Sequence, residues 1–155
     1  MQEIKSKYRQ WRALVKHFEL NDYDTNRCTP PIYNVTAKIN AESAKYIQLC
    51  ENNDIDGVLD LFTDDLIVMQ EGYPTAIGKN DAKQYFSWIN DVKTMTIDTK
   101  EGSPLNSCSG DNFVFERTEI KSISSTDQVS KGKSLAIWKK VGDSYKMYTH
   151  MYNSD

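Results

Sequence analysis

Two histidines, His17 and His150, and three cysteines, Cys28, Cys50 and Cys108, are the chain's obvious candidates for nucleophile or metal ligand. The cysteines are odd in number, widely spaced and without a CxxC pair, which argues against a disulfide framework and against a cysteine zinc site. The two histidines have no metal-ligand spacing. Glu51, Asp54, Asp56, Asp60, Asp64 and Asp65 form an acidic stretch without Lys or Arg. Its carboxylates are spread over a helix and its flanks rather than along an ordered calcium loop, so capping and solubility account for it. Gly57 and Gly78 belong to no phosphate-cradling loop, and GxSxG, HExxH and Cys-His nucleophile signatures are missing. No metal site and no cofactor is expected. His150 remains, with two readings open: a proton acceptor, or a hydrogen-bonded structural residue on a strand.

The chain that must position it has 155 residues, 39% of them apolar and 26% charged, which suits one soluble domain with a single core. Its longest apolar runs are too short to span a bilayer. The net charge of -3 repels a phosphate backbone, so no nucleic-acid partner is expected. Unpaired cysteines and a charged amino terminus without a secretory apolar stretch predict a cytoplasmic protein.

Ile4, Tyr8, Trp11, Val15 and Phe18 recur at helical spacing and predict an amphipathic helix over residues 3 to 20. Five basic residues face two acidic ones there, so the helix suits either a fold-back over the domain or a partner or membrane surface. A polar linker containing Pro30-Pro31 follows, which makes residues 1 to 34 an extension and 35 to 155 the domain. Val35, Ile39, Tyr46 and Cys50 define one face of a second helix over about 35 to 52. Asn53 is placed to cap a short third helix from Asp54 to Phe62. Leu66 to Met69 reads as a short buried strand, and Asn80 as the cap of another helix carrying Phe86 and Ile89.

From Val92 onward the period changes to two, predicting strands at about 92 to 101, 112 to 122, 132 to 140 and 145 to 152. Helices followed by antiparallel strands define an α+β domain. Both faces of the last strands are apolar or aromatic, which calls for a second cover on the sheet, a homodimer being the economical one.

The run Tyr46 to Asp65, the segment Gly78-Lys-Asn-Asp-Ala, and the closing segments Gly132 to Lys140 and Tyr145 to Ser154 resemble the nuclear-transport-factor-2-like superfamily. The closer resemblance is to its SnoaL-like and ketosteroid-isomerase-like branch, over about residues 35 to 153. This likeness implies a cone-shaped fold, with helices packed into a strongly curved antiparallel sheet around a pocket. It also implies dimers through the outer sheet face, with Trp138, Tyr148 and Tyr152 at the interface.

The isomerases of that branch use an aspartate base, a tyrosine and a protonated acid. By resemblance the tyrosine falls on Tyr46, the base on Gln70, and the second donor on Leu135 or Ala136. A glutamine amide is no general base, and neither Leu nor Ala donates a side-chain hydrogen bond. Isomerase-type chemistry is therefore not expected. The expected function is binding of a small, largely apolar molecule in a pocket formed by Tyr46, Phe62, Val68, Gln70, Phe86 and His150. The alternatives are a catalytically silent dimeric interaction scaffold, and an enzyme using His150 for proton transfer with Tyr46 orienting an oxygen.

Overall fold

The computed structural model describes residues 32 to 105 and 112 to 155, with side chains from Val35 onward. The helix expected over residues 3 to 20 and its linker lie outside the described residues, as does part of the Gly102 to Gly110 connection. Helix α1, Ile32–Glu51, starts directly after Pro30-Pro31 and buries the stripe Val35, Ile39, Tyr46 and Cys50 that the spacing predicts.

Asn53 ends that helix in the left-handed region, at φ 56. Its amide donates to the carbonyls of Cys50, Ile89 and Val92 at 2.9 to 3.3 Å, tying the helix end to the start of the meander. The cap of the next helix, α2 (Ile55–Asp60), is therefore Asp54 rather than Asn53, its carboxylate accepting from the Gly57 amide at 2.8 Å. Gly57 leaves room for that cap, since a Cβ there would lie 2.4 Å from the Asp54 oxygen. Gly78, not Asn80, precedes α3 (Lys79–Ala82), which continues as a 3-10 helix over Lys83–Asp91.

The strands are β1 (Phe62–Gln70), β2 (Ala76–Ile77), β3 (Val92–Pro104), β4 (Phe113–Ser124), β5 (Val129–Val141) and β6 (Ser144–Ser154). They form one open sheet in the order β2-β1-β6-β5-β4-β3. This corrects the expectation of a strongly curved antiparallel cone: the sheet neither closes nor curls strongly, and it is mixed. β1 runs parallel to β6, and the edges are the two-residue β2 and β3, which no hydrogen-bonded seam joins. The β3 to β6 meander has the antiparallel pairing that period two predicts, and β1 also pairs antiparallel with the short β2.

One irregularity in β6 decides which side chains face the helices. Ile137 pairs with Thr149 while Trp138 pairs with Met147, so Tyr148 is an extra residue opposite no partner. The bulge shifts the alternation, and Tyr145 and Met147 before it share the inner face with His150 and Tyr152 after it. The core lies between this face and the helices, around Phe62, Leu66, Val58, Ile89, Tyr145 and Trp138.

Candidate functional site

Two cross-strand rows build the inner face. One runs Glu116, Ala136, His150, Val68 across β4, β5, β6 and β1; the next runs Thr118, Ser134, Tyr152, Gln70 across the same strands. The second row is wholly polar, and the Thr118 and Ser134 hydroxyls bond to each other at 2.7 Å. Gly132 makes space for this row, because a Cβ there would come 2.5 Å from the Tyr152 hydroxyl.

Between the Tyr152 end of this face and the 3-10 helix lies a cavity of about 340 Å³. Tyr46, Val68, Gln70, Phe86 and His150 line it, as do Tyr85 and Trp88 of the 3-10 helix. Of the six residues expected there, Phe62 alone stands back: it is fully buried, stacked edge-on to Tyr46 and His150 at 6.5 Å and tilted on Phe86 at 5.2 Å. It props the walls instead of forming one. Glu71 stays outside, accepting from the amide and hydroxyl of Ser154 at 3.2 and 3.0 Å, so no bulge turns it into the base position.

The deep end carries no formal charge near neutral pH. Burial pushes the His150 imidazole down to about 4, so its neutral form prevails. Burial, with Cys50 beside it, raises the Tyr46 hydroxyl well above the usual phenol range. Burial also takes the Cys50 thiol up to about 12, which keeps it protonated and a poor nucleophile. His150 and the Gln70 side chain make no hydrogen bond within the described residues, so their polar atoms are presented to the cavity. Among the described residues Asp91 is the only lining carboxylate, and it accepts from the Ser125 hydroxyl.

Glu116 is the feature that sequence reasoning missed. It is 2% exposed, and it has no Lys or Arg partner among the described residues. Thr99 donates to Oε1 at 2.8 Å, the Trp138 indole to Oε2 at 3.0 Å, and Ser43 approaches both oxygens at 3.4 to 3.5 Å. The available signal was phase, since Glu116 falls on the same alternation as Val114, Thr118 and Ile120.

Two residues expected at an interface are placed elsewhere. Trp138 has no exposed surface, because it is on the inner face and bonded to Glu116. Tyr152 faces the cavity. Tyr148, carried outward by the bulge, packs on Phe113 at 6.0 Å beneath the Lys139 ammonium at 5.3 Å.

Neither a protein-family model nor a curated protein sequence matches the chain. Solved structures do. A ketosteroid isomerase-like protein from Erwinia carotovora atroseptica is 22% identical with TM-score 0.62, covering 76% of this chain and 94% of that one. An NTF-2 like protein of unknown function from Shewanella oneidensis is 11% identical with TM-score 0.64, covering 76% and 97%. A protein of unknown function with a cystatin-like fold from Nostoc punctiforme is 11% identical with TM-score 0.61, covering 77% and 90%. At these identities the likeness is one of fold. The chain has the nuclear-transport-factor-2-like fold, a scaffold that does not by itself dictate an activity. No helix among the described residues is long and apolar enough to cross a membrane.

Proposed function

We propose that the protein binds a small, uncharged, largely apolar molecule in the 340 Å³ cavity, with Tyr46, Gln70 and His150 as polar contacts. The observation that carries this reading is the uncharged deep end, where His150 and the Gln70 side chain make no hydrogen bond among the described residues. A ligand bearing a full charge would lose its hydration there without gaining a counter-charge, whereas a neutral hydroxyl or carbonyl finds hydrogen-bond partners. Val68 and Phe86 supply apolar walls. The depressed His150 imidazole is a weak base and a good neutral partner, which favours binding over proton transfer. The residue resemblance over 35 to 153 favours the SnoaL-like and ketosteroid-isomerase-like branch, without that branch's aspartate base.

The test is titration of the full chain with 2-naphthol and with 2-naphthoate, followed by amide and methyl shifts. Saturable binding of the naphthol at Val68, Phe86 and His150, at least ten-fold tighter than the naphthoate, supports the reading. Equal or tighter naphthoate binding contradicts it, as does saturable naphthol binding that survives filling the cavity with Val68→Trp.

A second reading, homodimerisation through the outer sheet face, is favoured by the half-exposed Phe113 and Met151 near Tyr148. Sedimentation equilibrium tests it. A monomer at micromolar concentration, or a dimer unaffected by Met151→Lys, would end it. Residues 1 to 34 are proposed as an extension separate from this domain.

A further inference from the structure

Between the main cavity and Glu116 lies a second chamber of about 20 Å³, the space that one water molecule requires. Its place follows from register. Glu116 and His150 are both cross-strand neighbours of Ala136, one on each side, so two large polar side chains flank a methyl group. Neighbouring strands lie about 4.8 Å apart, which separates the Glu116 and His150 backbones by about 10 Å. Ala136 is too small to fill the space between them.

The walls of this chamber are polar where a water would need them. On one side stands the Glu116 carboxylate, approached only by hydroxyl and indole donors and so acting as an acceptor. On the other stands His150, 8% exposed, with no ring nitrogen bonded to a described residue. Ser43 and the Thr118–Ser134 hydroxyl pair complete the lining. Apolar gaps of this size stay dry, whereas one offering two to four polar partners holds an ordered water. Tyr46 is the only other titratable group on the wall among the described residues, and its buried hydroxyl stays protonated.

We infer that one water occupies this chamber, bonded to both Glu116 and His150, and that through it Glu116 is the positioning residue that selects the His150 tautomer. The water donates to the carboxylate and accepts from the ring nitrogen nearer to it, so both dipoles point toward the acceptor. That nitrogen then carries the proton. The other ring nitrogen is left as a bare acceptor for the main cavity, which His150 also lines. This inference is independent of ligand binding, since every measurement below uses the free protein.

The experiment is ¹⁵N NMR of the full chain labelled at histidine, with His17→Gln identifying the His150 ring signals. One tautomer should dominate at pH 7. Glu116→Gln, which keeps the shape but can donate as well as accept, should turn this into a mixture. Ala136→Val, which fills the gap and alters neither titratable group, should do the same. Ile97→Val, on the chamber wall but not between the two groups, should leave the ring signals in place. A nuclear Overhauser contact from water to the Ala136 methyl in the unmodified protein is a direct readout that survives any failure of Ala136→Val to fold. Absence of that contact overturns the inference, as do unchanged His150 signals in a folded Glu116→Gln protein. An equal tautomer shift in Ile97→Val overturns it too, because packing would then account for the effect.

Discussion

The two ends of the sheet's inner face treat their polar residues in opposite ways. At the β4 and β5 end the Glu116 carboxylate is held by donors from three different elements, and the neighbouring hydroxyls bond each other. At the β6 and β1 end His150 and Gln70 reach the cavity without hydrogen-bond partners among the described residues. A satisfied buried group specifies packing, whereas an unsatisfied one holds hydrogen-bonding capacity in reserve for something from outside. On the proposed reading, the difference separates framework from recognition on a single surface.

The sharpest way to break this comparison is at the satisfied end. Trp138→Ala should cost about 4 kcal/mol in urea unfolding, because it empties a fully buried site and removes an indole donor from Glu116. A loss below about 1 kcal/mol would show that this end is not the framework.

His150 gives a smaller, pH-dependent effect. The unfolded imidazole titrates near 6.5 and the folded one near 4, so between those values the unfolded state binds more protons and folding weakens as pH falls. The loss should be about 1 kcal/mol near pH 5.5, reach about 3 kcal/mol by pH 4, and vanish above pH 7. His150→Gln should lack this component when its stability is compared with the unmodified protein at each pH. Superimposable pH profiles for the two proteins would contradict the buried neutral imidazole.

At the open end, Gln70→Leu should leave stability within about 1 kcal/mol, since no partner among the described residues is orphaned, while weakening 2-naphthol binding several-fold. A large destabilisation would mean that the amide has a structural partner after all. The smallest expected change is in Tyr46→Phe, which keeps the ring against Phe62. Its stability should shift by less than about 1 kcal/mol, with the main effect again on naphthol affinity. Unchanged affinity in both variants would erase the distinction between the two ends.

Where the signal in the chain is local, spacing alone fixes the element. The stripe on α1, the change of period at Val92 and the four meander strands follow from side-chain spacing, and Val68, Gln70, Phe86 and His150 line one cavity. Long-range pairing was another matter. Nothing in Phe62–Gln70 announces that it will run parallel to the last strand, and an open mixed sheet rests on that pairing. Trp138 and Glu116 illustrate the same limit from both sides. An indole on a two-faced strand reads as interface and a carboxylate on a strand reads as surface, until the structure brings the two together as buried partners. The bulge at Tyr148 hid the facing of β6, since strict alternation sends Tyr145 and His150 to opposite sides.

That extra residue works like a shift of reading frame written into a strand. Were Tyr148 taken into regular pairing opposite Ile137 instead of being left over as a bulge, every later residue of β6 would shift by one, and Thr149 and Met151 would take the inward places of His150 and Tyr152. The chemistry of the cavity therefore depends on where β6 leaves a residue unpaired as much as on the identities of its residues.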